Sequence, residues 1–250
     1  MSKIVKDEYY LQSSLSFFKS KYEKRLKFLK NKNFLFNEIS NFINNCIDET
    51  KNIFIFCAGN SSIGKNINAK KVYIKEIDNN YEINYGENIY YDNKIQSEHI
   101  SECDTVLIAD IEHQSNPTSN LLNLSRLIKD NAKIVILSKN LTWMVFIKFL
   151  KIFFDFSPVK NNFLPSSYLN NLYSSCNLEI VRTERLIVIP IYIPFITTIV
   201  NRIFRLPILN IFCLSNVTIL KKINQNFEKN ENKKVSFIIP CKNEENNIKL

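Results

Sequence analysis

One stretch limits what this chain can become: Ile53-Phe54-Ile55-Phe56-Cys57-Ala58-Gly59-Asn60-Ser61-Ser62-Ile63-Gly64. A short run of β-branched and aromatic residues that breaks off into small and polar ones reads as a buried strand feeding a tight loop. In α/β sheets ligands sit beyond the carboxyl ends of the strands, where small loop residues let backbone N–H groups approach a polar ligand. Glycine makes up about 7% of an average chain, whereas this one holds three in 250 residues, two of them Gly59 and Gly64. Glycine used so sparingly marks a backbone that needs it, either for the turn alone or for the approach of a ligand.

The rest of the chain arranges itself around that loop. Upstream, Phe18, Tyr22, Leu26 and Leu29 recur at helical spacing among lysines, and Leu35, Ile39, Phe42, Ile43, Cys46 and Ile47 form a second apolar face. Both are expected to be helices that cover a sheet. Downstream, residues 72–77 and 81–85 are strand-like runs separated by Asp78-Asn79-Asn80. Parallel neighbours need a crossover of roughly a dozen residues, so an antiparallel hairpin is expected, closed by Gly86-Glu87-Asn88. Residues 105–109 form the next buried strand, with Asp110-Ile111-Glu112-His113 at its carboxyl end.

Asn116 and Pro117 suit the cap and first turn of a helix striped by Leu121, Leu124, Leu127 and Ile128. Residues 132–138 are a further strand, and strand, helix, strand is the alternation of a parallel sheet. Ser166 or Ser167 is expected to cap a helix bearing Tyr168, Leu169, Leu172 and Tyr173, with Asn177 in the left-handed position after it. Residues 178–181 open a strand, and residues 211–220 form a last one.

Residues 143–154 are apolar nearly all round, apart from Lys148 and Lys151. The run is shorter than the roughly 20 residues of a membrane span. It suits a lid over the crevice, a partner contact or a helix on a membrane surface. Residues 186–201 carry no charge, yet Pro190 and Pro194 interrupt them, which argues against a span. A polar, charge-dense linker over 221–234 precedes a lone strand and loop, too little to be a domain.

Composition excludes more than it selects. At 45% hydrophobic the chain can bury the core of one ordinary domain, or of one domain plus a fragment, and disorder is excluded. The net charge of +9 would suggest an anionic partner. Lys, Asn, Ile and Phe are all abundant, however, while Gly and Ala are scarce, a bias of the whole composition, and no nucleic-acid motif is present. Six scattered cysteines without a C-x-x-C pair, with only His99 and His113 to add imidazole, spell out no zinc site. The first residues lack the apolar core of a signal peptide, so free thiols in the cytoplasm are expected, with the inner membrane face as the alternative.

With the order of elements in hand, the chain from about Tyr9 to Leu220 resembles the class I S-adenosylmethionine-dependent methyltransferases. Their first loop reads acid-x-Gly-x-Gly-x-Gly. Aligned on Gly59, the acid position holds Ile55 and the outer glycines are Cys57 and Ser61. Gly86-Glu87 stands where the family has a Gly-Asp that meets the adenine, and Asp110-Ile111-Glu112-His113 matches the Asp-x-Glu-His that follows its fourth strand. The resemblance implies an α/β, Rossmann-like class I methyltransferase fold: a mostly parallel central sheet flanked by helices, with a shortened connection between the second and third strands.

It also implies S-adenosylmethionine as cofactor, with binding roles for Cys57, Gly59, Asn60, Ser61, Glu76, Glu87, Asp110 and Ile111. The acid that holds the ribose hydroxyls in the family falls on Lys75, Glu76 or Asp78, depending on register. His113 is the candidate general base, since imidazole titrates near neutrality and the residue is expected at the crevice mouth. A nicotinamide-dependent dehydrogenase would need Gly-x-Gly-x-x-Gly, and Cys57 and Ser62 hold the outer positions of that pattern.

Residues 235–248 look like the opening strand of family 2 glycosyltransferases, where Pro240, Asn243 and Glu244 match a Pro-x-x-Asn-Glu loop that borders the nucleotide of the sugar donor. The combination resembles bifunctional bacterial proteins. It implies helices over 1–51, a methyltransferase-like domain over 52–220, a linker over 221–234 and the start of a transferase over 235–250. The activity implied is methyl transfer to a saccharide or lipid-linked saccharide in cell-surface glycan synthesis, with peripheral membrane contact and no nucleic acid. The alternative is a catalytically inactive module that scaffolds a family 2 glycosyltransferase, as the missing glycines suggest.

Overall fold

Five buried residues in a row make the strand at the centre of the molecule. β1 (Asn52–Cys57) is buried from Ile53 onward, as happens when helices cover both faces of a sheet. The computed structural model describes residues 33–49, 51–57, 61–76, 88–91, 97–109, 111–142, 164–189 and 192–223. The expectations for residues 17–29, 81–85, 143–154 and 224–250, and for Gly59, Asn60, Asp78, Glu87 and Asp110, lie outside the described residues.

On either side of β1 run β2 (Lys71–Glu76) and β4 (Thr105–Ile108), both parallel to it. β3 (Ile89–Tyr91) lies parallel outside β2, and β5 (Lys133–Lys139) parallel outside β4. β7 (Ser215–Lys222) is antiparallel to both β5 and the edge strand β6 (Leu178–Leu186). The sheet order is β3-β2-β1-β4-β5-β7-β6. Charged residues Glu179, Arg182 and Glu184 and a bulge between Ile180 and Arg182 blunt the β6 edge.

Alternate residues of β1 enter two different cores, as the two-residue period of a strand requires. Ile53 and Ile55 meet Leu35, Phe36, Ile39 and Ile43 of α1 (Asn33–Asn44). Phe54 and Phe56 meet the opposite layer, α3 (Pro117–Leu127) and α4 (Ser166–Ser175), flanked by the short α2 (Ser97–Glu102). α3 starts as expected: the Asn116 side chain accepts from the Ser119 N–H at 3.0 Å, and Pro117 takes the first turn. Asn177 sits at φ 56° after α4, the left-handed place that Asn tolerates.

Three expectations change. Residues 72–74 of β2 are bonded by β1 on one edge and by the parallel β3 on the other, so no hairpin partner can pair with them. The chain from Glu76 to Ile89 spans about a dozen residues, the length that a parallel crossover needs. α4 is entered through Pro165, which leaves Ser166 and Ser167 as its first helical residues rather than its cap. The last strand starts at Ser215, after a 3-10 turn at Leu209–Phe212, and ends at Lys222. There the ammonium group donates to the Ile128 carbonyl at 2.6 Å and to Asp130 at 3.0 Å.

Between β6 and β7 stands an insertion, residues 187–214, that contains α5 (Ile196–Ile203). β6 runs with β5 and β7 runs against both, so the insertion leaves and returns at the carboxyl edge of the sheet. No described helix is long and apolar enough to cross a membrane.

Candidate functional site

Strand register decides which side chains share the carboxyl edge. Cys57 pairs with Glu76, Phe56 with Ile108, and Ile108 with Ile136. The Ala109 N–H continues the ladder onto the Phe56 carbonyl at 2.9 Å. Cys57, Glu76 and Ala109 therefore close their strands at one level, and all three are buried.

Glu76 carries the most chemistry of these. Its carboxylate, 6% exposed, ends β2 on the same face as Val72 and Ile74, beside Cys57. Lys75 alternates to the other face of the strand. An ionised carboxylate offers two acceptor oxygens and no donor, which suits a pair of vicinal hydroxyls. By its donor set the end of β2 fits the ribose of a nucleoside cofactor.

Beyond the loop, Ser61 opens a 3-10 turn (Ser61–Asn66) that packs on α1. The Ser40 hydroxyl lies 2.7 Å from the carbonyls of Phe36 and Ile63, and the Asn44 amide donates to the Asn66 carbonyl at 2.8 Å. A Cβ on Gly64 would collide with Ile74 Cδ1 and press on Ile55 Cδ1 at 3.3 Å. Gly64 is thus required by the close approach of this turn to β1 and β2.

After β4 the chain folds into a second 3-10 turn, Ile111–His113, whose three residues are all buried. Ile111 joins the core around Phe54 and Phe56. His113 is 3% exposed, so its imidazole is withdrawn from solvent. Between them, Glu112 accepts the Lys139 N–H at 2.5 Å and ties the end of β4 to the end of β5. Burial pushes the phenol of the neighbouring Tyr173 up, with the Thr218 hydroxyl lowering it and the Glu112 carboxylate adding to the rise.

Motif reading named Glu112 without giving it a task, and it missed Asn140 altogether. The Asn140 amide donates to the carbonyls of Ile211 and Cys213 at 2.7 and 2.8 Å, and its oxygen accepts from the Thr142 N–H at 3.2 Å. It pins the returning insertion to the end of β5. The signal available in sequence was one amide directly after an apolar strand, which by itself names no partner.

Of the residues assigned from sequence, the structure brings together Cys57 and Glu76 at the strand ends, while Ile111 packs into the core on the opposite face of the sheet and His113 is buried in the turn after β4. Cys46, Cys57, Cys103, Cys176 and Cys213 form no disulfide. Among the described residues no group of three His, Cys, Asp or Glu side chains could hold a metal ion. A small polar cleft between Asp48, Lys51, Asp104, Asn131 and Lys133 opens at the opposite, amino-terminal edge of the sheet.

The strand order and the reversed β7 define the Rossmann-like class I methyltransferase fold. Solved methyltransferases share it. A Thermotoga maritima S-adenosylmethionine-dependent methyltransferase, described as a possible histamine N-methyltransferase, matches with a TM-score of 0.59 at 11% identity, over 84% of this chain and 100% of its own. Magnesium protoporphyrin IX methyltransferase from Synechocystis PCC 6803, solved with S-adenosylhomocysteine, matches at 0.54 and 11% identity over 83% and 97% of the two chains. The 1,6-didemethyltoxoflavin-N1-methyltransferase of Burkholderia thailandensis, also bound to S-adenosylhomocysteine, matches at 0.52 and 11% identity over 84% and 87%. No family model matches the chain, and no curated protein does.

Proposed function

We propose that the chain is an S-adenosylmethionine-dependent methyltransferase whose cofactor lies across the carboxyl ends of β1, β2 and β4. The observation that carries this reading is Glu76, a buried carboxylate that ends β2 directly beside Cys57. In this reading Glu76 holds the ribose hydroxyls, Cys57, Gly59, Asn60 and Ser61 border the methionine part, Glu87 meets the adenine, and Asp110 and Ile111 flank it. Two of the structural neighbours were solved with S-adenosylhomocysteine, which supports the same ligand class.

When bound, the cofactor supplies an electrophilic methyl group on a sulfonium. The chain's own contribution is to hold donor and acceptor in line, which can remove several kcal/mol of the barrier to such a transfer. His113 takes the proton of the acceptor hydroxyl as general base, and its burial requires the acceptor to reach into the 3-10 turn. The acceptor is a saccharide or lipid-linked saccharide made at a membrane face, a choice supported by the likeness of residues 235–248 to a family 2 glycosyltransferase, the expected partner.

A second reading is a catalytically inactive module that scaffolds such a transferase. Ile55, wholly buried where the family has an acid, and Cys57 in place of a glycine favour it. Calorimetric titration of the full chain with S-adenosylmethionine and S-adenosylhomocysteine separates the two. Micromolar binding that Glu76→Ala weakens about tenfold or more, as unpaired ribose hydroxyls should, and that Gly59→Asp abolishes, supports the enzyme. A folded chain that binds neither ligand supports the scaffold.

A further inference from the structure

The insertion of residues 187–214 is built inside out. α5 buries Thr197 and Asn201, one turn apart, and exposes Ile196, Ile199 and Ile203. The buried pair holds the insertion's own backbone. Asn201 Oδ1 accepts from the Val188 and Ile189 N–H groups at 2.9 Å each, and its amide donates to the Ile189 carbonyl at 3.2 Å. The Thr197 hydroxyl accepts from the Ile193 N–H at 2.8 Å.

The inward face is thereby committed to polar work, and the apolar residues are left outside. The exposed face continues into both flanks of the helix, where Phe195 is 83% and Ile208 84% exposed. Contacts to α1 fix the insertion in place: the Phe34 and Tyr192 rings lie 5.7 Å apart, and Arg205 bridges to Glu38 at 3.1 Å. A contiguous apolar patch of this kind marks a surface that something covers.

Charge indicates what covers it. No Asp or Glu occurs between Glu184 and Glu228, and the cations that border the patch, Arg202 and Arg205, are both exposed. Arg205 is held by Glu38 of α1, which leaves Arg202 facing outward beside an apolar face whose own segment has no carboxylate, and that arrangement complements a layer of anionic headgroups over acyl chains. A second copy fits less well, since like faces would set arginine against arginine on chains that each carry a net charge of +9.

We propose that residues 192–212 seat the carboxyl edge of the sheet on an anionic lipid bilayer, with α5 lying in the interface plane and Phe195 and Ile208 inserted on either side of it. The anchor does not depend on methyl transfer. Its bearing on the acceptor does rest on the methyltransferase reading: Asn140 ties the anchor to the end of β5, so a cofactor site at the carboxyl edge of the same sheet would face the lipid-linked form of a saccharide.

The test is sedimentation of the full chain with phosphatidylcholine vesicles, with and without phosphatidylglycerol. Binding is expected to require the anionic lipid and to weaken as salt is raised. The triple variant Phe195→Ser, Ile199→Ser, Ile208→Ser should bind about tenfold less or worse, because each replacement withdraws several methylene equivalents from the acyl layer. Arg202→Glu, which keeps the apolar face intact, should weaken binding to the anionic vesicles alone. A folded chain that ignores both vesicles, or binding that the triple variant retains, overturns the proposal. So does a concentration-dependent dimer that the triple variant abolishes while vesicles are ignored. S-adenosylmethionine titration of the same triple variant should match the parent chain, so failure of the cofactor reading and failure of the anchor are read separately.

Discussion

α1 and α5 both segregate apolar from polar residues, and they turn opposite faces inward. α1 buries Leu35, Phe36, Ile39 and Ile43 against the sheet, whereas α5 buries Thr197 and Asn201. What lies beneath each helix explains the difference. α1 rests on the side chains of Ile53, Ile55 and Val72, which gain about 1.5–3 kcal/mol for each large apolar group taken from water. α5 rests on the backbone of Val188, Ile189 and Ile193, whose N–H groups would cost about 1–3 kcal/mol each if buried without acceptors. The two terms are of similar size, so what lies beneath a helix decides which face turns in.

The largest expected effect sharpens this contrast on the α1 side. Ile43→Ala should cost about 2–5 kcal/mol in urea denaturation, since the side chain is fully buried and leaves a cavity. If it cost no more than a substitution on the outer face of α5, the two helices would not differ as described. Alkali probes the same contrast through thiols. In the body of the sheet, burial pushes Cys103 up to about 12 from 9.0, with Asp104 adding to the rise, and the thiol donates to the His99 carbonyl at 3.1 Å.

Because its folded value is raised, the stabilisation from Cys103 is complete below pH 9 and is lost as pH climbs toward 12. By about pH 10.5 this one group costs about 2 kcal/mol. Urea midpoints measured against pH should fall accordingly, and Cys103→Ala should flatten the slope. In the insertion Cys213 is also raised by burial, but Arg185 and Arg205 pull it back, so Cys213→Ala should change that slope less.

Gly64→Ala tests the turn that carries the candidate loop and should cost about 1–3 kcal/mol through the collision with Ile74. Asn201→Ala removes the acceptor of two part-buried N–H groups and is expected to cost about 2 kcal/mol, while hydrogen exchange at the Val188 and Ile189 amides speeds up. At the small end, Ile199→Ser should stay within about 0.5 kcal/mol of the parent chain, as surface substitutions do. A loss of several kcal/mol there would show that the outer face of α5 is already covered within the chain.

Much of the sheet was legible because its signals are local. The apolar runs at β1, β2, β4 and β5, the Asn116-Pro117 start of α3 and the left-handed Asn177 each follow from a residue's own conformational preference. The resemblance to class I methyltransferases anticipated the mostly parallel sheet, and residue order at the motifs was enough for that.

Non-local pairing was not legible. β3 has three residues, too few to show a pattern, and the longer run at 81–85 carries the stronger strand signal although β2 pairs with β3. The choice among Lys75, Glu76 and Asp78 needed the Cys57 to Glu76 register, which no spacing reveals. Nor could periodicity tell that α5 turns its polar face inward, because a period of 3.6 separates two faces without saying which one meets the protein. His113 was expected at the crevice mouth, and the turn that follows β4 carries it inward.

One pairing in the sheet has a consequence for how such a protein can change. Leu186 and Ser215, the residues from which the insertion departs and to which it returns, face each other as antiparallel partners. Residues 187–214 therefore occupy the place of a hairpin turn, and a two-residue turn could join the same two strands. Ile187 and Leu214 at its two ends pack into the core, but the segment between them can change in length without shifting the register of the sheet. The surface that this chain presents to its surroundings is in that sense a cartridge, free to diversify while the strands that hold the crevice stay as they are.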